Sequence, residues 1–121
     1  MSRDPGKLKV FQLADGLVIE AYRLTRSLPP EERYGLQAQI RRAAVSVPTN
    51  LVEGCARRST KDYLYFVGVA LGSASEVRYL LSLARRFEFV AASEAEALEG
   101  GYSELIRGLQ RLIDVLARPA A

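Results

Sequence analysis

Four segments with apolar side chains at helical spacing occupy most of the sequence, and this pattern constrains the fold more than any other feature. In the first segment apolar residues recur three and four positions apart from Phe11 to Leu28, and in the last they do so from Leu98 to Leu116. A helix with such a stripe must bury it against another element. The strict alternation that is typical of half-buried strands does not occur, so the pattern predicts an all-α fold.

Proline, glycine and capping residues set the expected helix limits. Pro29 and Pro30 end the first helix, because proline lacks the backbone N–H that a helix interior needs. Ser59 is expected to cap the third helix, and Ser93 with Glu96 three residues later is expected to cap the fourth. We therefore predict helices over about residues 8–27, 36–57, 60–87 and 94–117.

Short connections between these helices favour an antiparallel, up-down-up-down four-helix bundle. In the third helix, apolar residues also lie seven apart, which is typical of helices that cross at about 20° in bundles. These residues are Tyr63, Ala70, Val77 and Ala84. At 121 residues the chain fits a single domain, residues 1–121, with a modest core.

Cysteine content and hydropathy indicate the compartment. Cys55 is the single cysteine, so an internal disulfide is excluded, and the first residues lack the apolar core of a signal peptide. The longest uncharged stretch, residues 63–75, is much shorter than the roughly 20 apolar residues of a membrane span. We expect a cytoplasmic protein with no membrane segment.

The residue types that usually carry catalysis are scarce. The sequence has no histidine, which removes the commonest general base and metal ligand, and one cysteine cannot form a thiolate zinc site. Cys55 lies in an apolar stripe and is interpreted as a small core residue. We expect that the protein is not an enzyme and that it binds no metal, cofactor or small-molecule substrate. The remaining catalytic alternative is a hydrolase that uses Glu53 or Glu76.

The second and third helices carry candidate contact surfaces. Beside its ordinary core stripe, the second helix has a further apolar arc that one bundle core does not require, and the third has an almost bare glycine face. Either a second copy of the chain covers this surface, or the second helix lies deep between neighbours in its own bundle. The candidate oligomer interface consists of Val45, Pro48, Val52, Gly68 and Gly72.

A polar stripe follows the second helix. Ser46, Asn50 and Glu53 lie along one side of the helix, between Arg42 and Arg57. In a structural role, Glu53 pairs with Arg57 at the i,i+4 spacing and Asn50 binds backbone groups loosened by Pro48. In a functional role, the same row lines a groove that contacts a polar or anionic partner. The residues alone leave both roles open.

Positive charge is concentrated in the middle of the chain, although the net charge is only +3. Residues 41–86 contain eight basic residues and three acidic ones, a balance that attracts an anionic partner. The alternative is that these charges lie on ordinary solvated helix faces. The candidate nucleic-acid-binding residues are Arg41, Arg42, Arg57, Arg58 and Lys61.

Two stretches resemble a known family. Residues 34–54, YGLQAQIRRAAVSVPTNLVEG, and residues 66–76, FVGVALGSASE, are similar to the signature of 23S rRNA intervening-sequence proteins. The resemblance implies an antiparallel four-helix bundle, a ring-like homopentamer and RNA, or an enzyme acting on nucleic acid, as the partner. Together with the charge pattern it favours an oligomeric binding protein. A purely structural or protein-interaction scaffold is the alternative function.

Overall fold

The computed structural model describes residues 3–119, and within that range it contains helices and no strands. The helices are α1 (Lys9–Thr25), α2 (Leu36–Cys55), α3 (Thr60–Arg86) and α4 (Ala92–Leu116), with short 3-10 turns at Pro5–Lys7 and Pro30–Glu32. The all-α prediction is confirmed, and each helix limit lies within two residues of its expected position. The outermost residues of the predicted domain, 1–2 and 120–121, lie outside the described range.

The two expected N-terminal caps have different outcomes. The Ser59 hydroxyl accepts a hydrogen bond from the Asp62 backbone N–H at 3.1 Å, as the sequence predicts. The Ser93 cap is wrong: α4 begins at Ala92, with extended Ala91 before it and no side-chain cap. Val90, immediately before this point, is buried. Ser93, the residue with the better capping side chain, lies inside the first turn of α4 and not at its N-cap.

Each helix contacts two neighbours. α2 packs between α1 and α3, α3 packs between α2 and α4, and α1 and α4 complete the ring of contacts. Side chains from all four helices fill the centre. The largest fully buried ones include Ile40, Leu51, Leu81, Tyr102 and Leu109. The described part of the chain is thus a four-helix bundle around one core.

α3 has the length and composition that would allow a helix to cross a membrane. Of its most apolar 18 residues, 33% are buried inside the bundle. Core helices of bundles share this composition, and α3 contacts α2 along one side and α4 along another.

Candidate nucleic-acid interface and assembly face

The apolar arc of α2 is only partly open. Val45 and Val52 remain 39% and 45% exposed, although both are apolar. Pro48 is buried within the chain, so it is unavailable to a partner, and that part of the predicted interface is corrected. Tyr22 of α1, 37% exposed, borders the same surface, because Arg41, one turn before Val45, stacks on its ring. The open part of the arc therefore extends from α2 onto α1.

The glycines of α3 face empty space. A Cβ added at Gly68 or Gly72 would meet no atom within 4 Å, so no helix of this chain approaches them closely. With about 100° of rotation per residue, both lie nearly opposite the buried Ala70. They point away from the bundle at α3, whereas Val45 and Val52 lie on the side of α2 nearest α1. The two patches therefore occupy different faces of the bundle.

Close helix packing occurs at a different glycine, Gly54 of α2. A Cβ there would lie 3.0 Å from Phe66 Cβ and 3.0 Å from Tyr63 Cδ1 of α3. Gly54 is buried. This contact was not predicted; a glycine on the core-facing stripe of the second helix was the available signal.

The polar stripe joins α2 to α3. Ser46 Oγ lies 2.8 Å from Ser73 Oγ, and Asn50 Nδ2 donates to the Ser46 carbonyl and hydroxyl oxygens at 2.8 and 3.0 Å. Pro48 has no backbone N–H, so it leaves the carbonyl of Ala44, four residues earlier, without its helical donor. Asn50 binds the Ser46 carbonyl and not that of Ala44, so its expected role of binding the group that Pro48 leaves free is corrected. Glu53 is exposed and pairs with Arg57 at 3.4 Å.

Arg41 is tied to α1. Its Nε donates to Thr25 Oγ1 at 3.0 Å and its Nη2 to the Tyr22 carbonyl at 3.2 Å, while its guanidinium lies 4.5 Å from the Tyr22 ring centroid. Thr25, fully buried, in turn donates to the Ala21 carbonyl at 2.7 Å. These bonds give Arg41 a structural role within the bundle. The role of Thr25 was not predicted, because nothing in its sequence context distinguishes it from a surface threonine.

We expect Thr25→Val to destabilise the bundle by about 1–2 kcal/mol, because the half-buried Arg41 Nε loses its acceptor while the apolar volume is kept. Urea unfolding followed by circular dichroism measures this change. Thr49→Val is the control, because Thr49 is exposed and bonds only within its own helix. Equal unfolding midpoints for Thr25→Val and Thr49→Val would contradict this role of Thr25.

Three of the predicted basic residues gather where α2 turns into α3. Arg57, Arg58 and Lys61 are all exposed at this turn, and Arg3 joins them: its Nη1 donates to the Arg57 carbonyl at 3.4 Å. Arg3 also lies 4.3 Å from the Tyr63 ring centroid. Arg42 is exposed but lies 15 residues before Arg57, about 22 Å along the helix. The predicted set therefore separates, and Arg3, Arg57, Arg58 and Lys61 form what we call the turn cluster.

Two tyrosines near the turn cluster differ in exposure. Tyr63 is 3% exposed, whereas Tyr65 is 66% exposed. The Tyr65 ring meets the Phe66 ring edge-on, with centroids 5.2 Å apart, and the Arg57 guanidinium lies 4.7 Å from the Phe66 centroid. The Tyr65 ring is therefore held by contacts within the chain and remains open to solvent.

Three buried groups, Cys55, Tyr63 and Tyr102, have raised pKa values, and burial is the largest cause for each. Burial raises the pKa of the Cys55 thiol, which keeps it protonated at neutral pH and makes it a poor nucleophile. Burial also raises the pKa of Tyr102, whose hydroxyl has no hydrogen-bond partner among residues 3–119. Over the same range, no three His, Cys, Asp or Glu side chains come together as a metal site would require.

Comparison with known proteins gives a family and a fold. The chain is similar over 86% of its length, at 24% identity and a TM-score of 0.79, to 97% of a crystal structure from Bacteroides thetaiotaomicron VPI-5482. That structure is described as a protein with unknown function from the S23 ribosomal protein family. No curated protein sequence matches the chain. The sequence profile of 23S rRNA-intervening sequence proteins matches residues 6–111, and the chain therefore belongs to that family.

Proposed function

We propose that this protein is a non-enzymatic binding protein that assembles with copies of itself and engages RNA, or a protein that processes nucleic acid, at the turn cluster. The observation that carries the proposal is the gathering of Arg3, Arg57, Arg58 and Lys61 at one end of the bundle. Glu53, which pairs with Arg57, and Asp62 offset part of this charge, so Arg3, Arg58 and Lys61 carry the attraction for phosphates. The family name, which refers to 23S rRNA, supports RNA over other anions.

We further propose that the bundle runs up-down-up-down with antiparallel neighbours. Ser46 contacts Ser73, whereas Gly54, later in α2, adjoins Phe66, earlier in α3. A later residue of α2 thus contacts an earlier residue of α3, which supports opposite directions for the two helices. A link of only four residues, 56–59, between α2 and α3 also supports this arrangement.

The two open patches support a ring-like assembly. A patch that meets its own copy gives a closed dimer, whereas a patch that meets a different patch gives a head-to-tail contact that can close into a ring. The valines of α2 and the glycines of α3 lie on different faces, as a head-to-tail contact requires. We propose the pentamer that the family resemblance implies. The turn cluster would then recur in every subunit, and its field would be multiplied.

Two other functions are less well supported. A scaffold without nucleic-acid binding would use the same apolar patches and leave the turn cluster as solvated charge. A hydrolase would need an activated carboxylate, but Glu53 pairs with Arg57 in solvent and Glu76 is exposed. We propose the cytoplasm as the compartment, because RNA is accessible there and a free thiol such as Cys55 persists there.

The test is fluorescence anisotropy of a labelled RNA titrated with protein at about 50 mM and 200 mM salt. Neutralised phosphates release counterions, so the affinity should fall by orders of magnitude over this range. Arg58→Ala with Lys61→Ala should weaken binding about tenfold or more at the lower salt. The salt slope should fall by more than two, since each subunit of an assembly loses both charges.

The control for this variant is Arg107→Ala with Arg111→Ala, which removes the same charge from exposed positions of α4. It should bind RNA almost as well as the parent. Absence of binding at the lower salt contradicts the proposal. Equal losses in the two double variants would mean that net charge matters and the turn cluster does not.

A further inference from the structure

Tyr65 is an exposed aromatic ring beside the positive charges of the turn cluster. It lies one helical turn after Lys61 on the outward side of α3, and its ring forms a T-shaped pair with the ring of Phe66. The Arg57 guanidinium, in the turn before α3, lies 4.7 Å from the Phe66 centroid and so supports the pair of rings. A tyrosine ring that is open to solvent beside positive charge offers a surface on which a planar group can stack.

We propose that the turn cluster binds single-stranded nucleic acid, with one base stacked on the Tyr65 ring and the flanking phosphates on Lys61 and Arg58. This inference rests on the proposed function and specifies its ligand. Aromatic rings next to basic side chains are the usual means by which proteins hold single strands, because every base has a face that can stack. Binding should therefore be tolerant of sequence.

Duplex RNA cannot make the same contact. Its bases are stacked on one another, and the deep major groove of A-form RNA excludes side chains, so a tyrosine on a helix surface would meet only the backbone. A duplex would therefore contact Lys61 and Arg58 through its phosphates and gain nothing from Tyr65. A preference for single strands at equal charge is the result that distinguishes stacking from simple electrostatic attraction.

Tyr79 provides a matched control on the same helix. It is 57% exposed, two heptads after Tyr65, so it lies on a similar face of α3. An exposed acidic residue stands three positions before each ring, Asp62 before Tyr65 and Glu76 before Tyr79. The basic side chains differ: Ser75 takes the place that Lys61 has four positions before Tyr65, and Arg86 near the Tyr79 ring is hydrogen-bonded to Ser82. A phosphate beside a base on Tyr79 would therefore find no lysine and an arginine that is already engaged.

The experiment compares a labelled single-stranded oligouridine of about a dozen nucleotides with a labelled RNA duplex at low salt, using the full chain. Tyr65→Ala should weaken single-strand binding about tenfold and leave duplex binding unchanged. Tyr79→Ala should change neither, and Tyr65→Phe, which keeps the ring, should bind as the parent does. Circular dichroism verifies that each variant is folded.

A fluorescence measurement reports the stacking directly. The chain has no tryptophan, so Tyr65→Trp introduces a single one, whose emission should be quenched when oligouridine binds. Tyr79→Trp should show little quenching. If RNA binds but Tyr65→Ala binds like the parent and Tyr65→Trp is not quenched, this inference is overturned while the proposed function stands. If neither RNA binds at low salt, both are overturned.

Discussion

Val52→Asp should release single chains from the assembly that we propose, without unfolding them. Val52 is 45% exposed on α2, so in a single chain the new carboxylate remains hydrated. In an apolar contact between subunits it would lose water without gaining a partner, which costs several kcal/mol per interface. Light scattering at micromolar concentration should give one chain mass for the variant and a multiple of it for the parent, with unchanged helical circular dichroism.

Val115→Asp is the matched control for this experiment. Val115 is 54% exposed on α4, away from the patches assigned to assembly, and the substitution adds the same charge. It should leave the mass of the assembly unchanged. An assembly that survives Val52→Asp, or one that dissociates equally with Val115→Asp, would exclude the α2 valines from the interface.

Gly54→Val should destabilise the fold itself by about 3 kcal/mol or more, at the upper end of the range for overpacked cores. The added Cβ would lie 3.0 Å from both Phe66 Cβ and Tyr63 Cδ1, and the methyl groups of valine would extend the clash. Relief requires α2 and α3 to move apart, which also disturbs the packing of Leu51. Urea unfolding should show a large fall in the midpoint.

Gly100→Ala, on α4 and outside the two proposed contact patches, is the opposite case among the helical glycines. Its new Cβ meets nothing within 4 Å, so the chain should gain about 0.5–1 kcal/mol of stability from the lower backbone entropy of alanine when unfolded. Comparison of the two variants tests the packing directly. Equal unfolding midpoints for Gly54→Val and Gly100→Ala would contradict the close α2–α3 approach at Gly54.

Sequence periodicity predicts most of this fold for a clear reason. Each of the four helices has a continuous apolar stripe. The helix ends are set by local backbone chemistry: Pro29 and Pro30 end the first helix, and Ser59 caps the third. The start of α4 was predicted to within two residues, but its cap was not, because Ala91 at the N-cap has no side chain that can accept a hydrogen bond and so gives no sequence signal.

The candidate site was predictable only in part. Helical periodicity gives the face of a helix on which a residue lies, but it does not give the residues of other helices that this residue contacts. Arg41 and Arg58 are indistinguishable in sequence, yet Arg41 reaches Thr25 across the α1–α2 contact and Arg58 remains exposed. In the same way, Gly54 and Gly68 are both glycines inside helices. A Cβ at Gly54 would meet side chains of α3, whereas a Cβ at Gly68 would meet no atom within 4 Å. Such differences arise from tertiary contacts between residues far apart in the chain.

Light scattering combined with absorbance at 260 and 280 nm, on the unmodified protein at micromolar concentration, tests most directly whether an assembly of this chain carries RNA. The chain lacks tryptophan, so bound nucleic acid is conspicuous in the absorbance ratio. At about 50 mM salt we expect one species of five chain masses that binds added single-stranded RNA and releases it as the salt rises. A dimer or tetramer would contradict the pentamer alone. A single chain mass, with RNA eluting separately, would contradict the account.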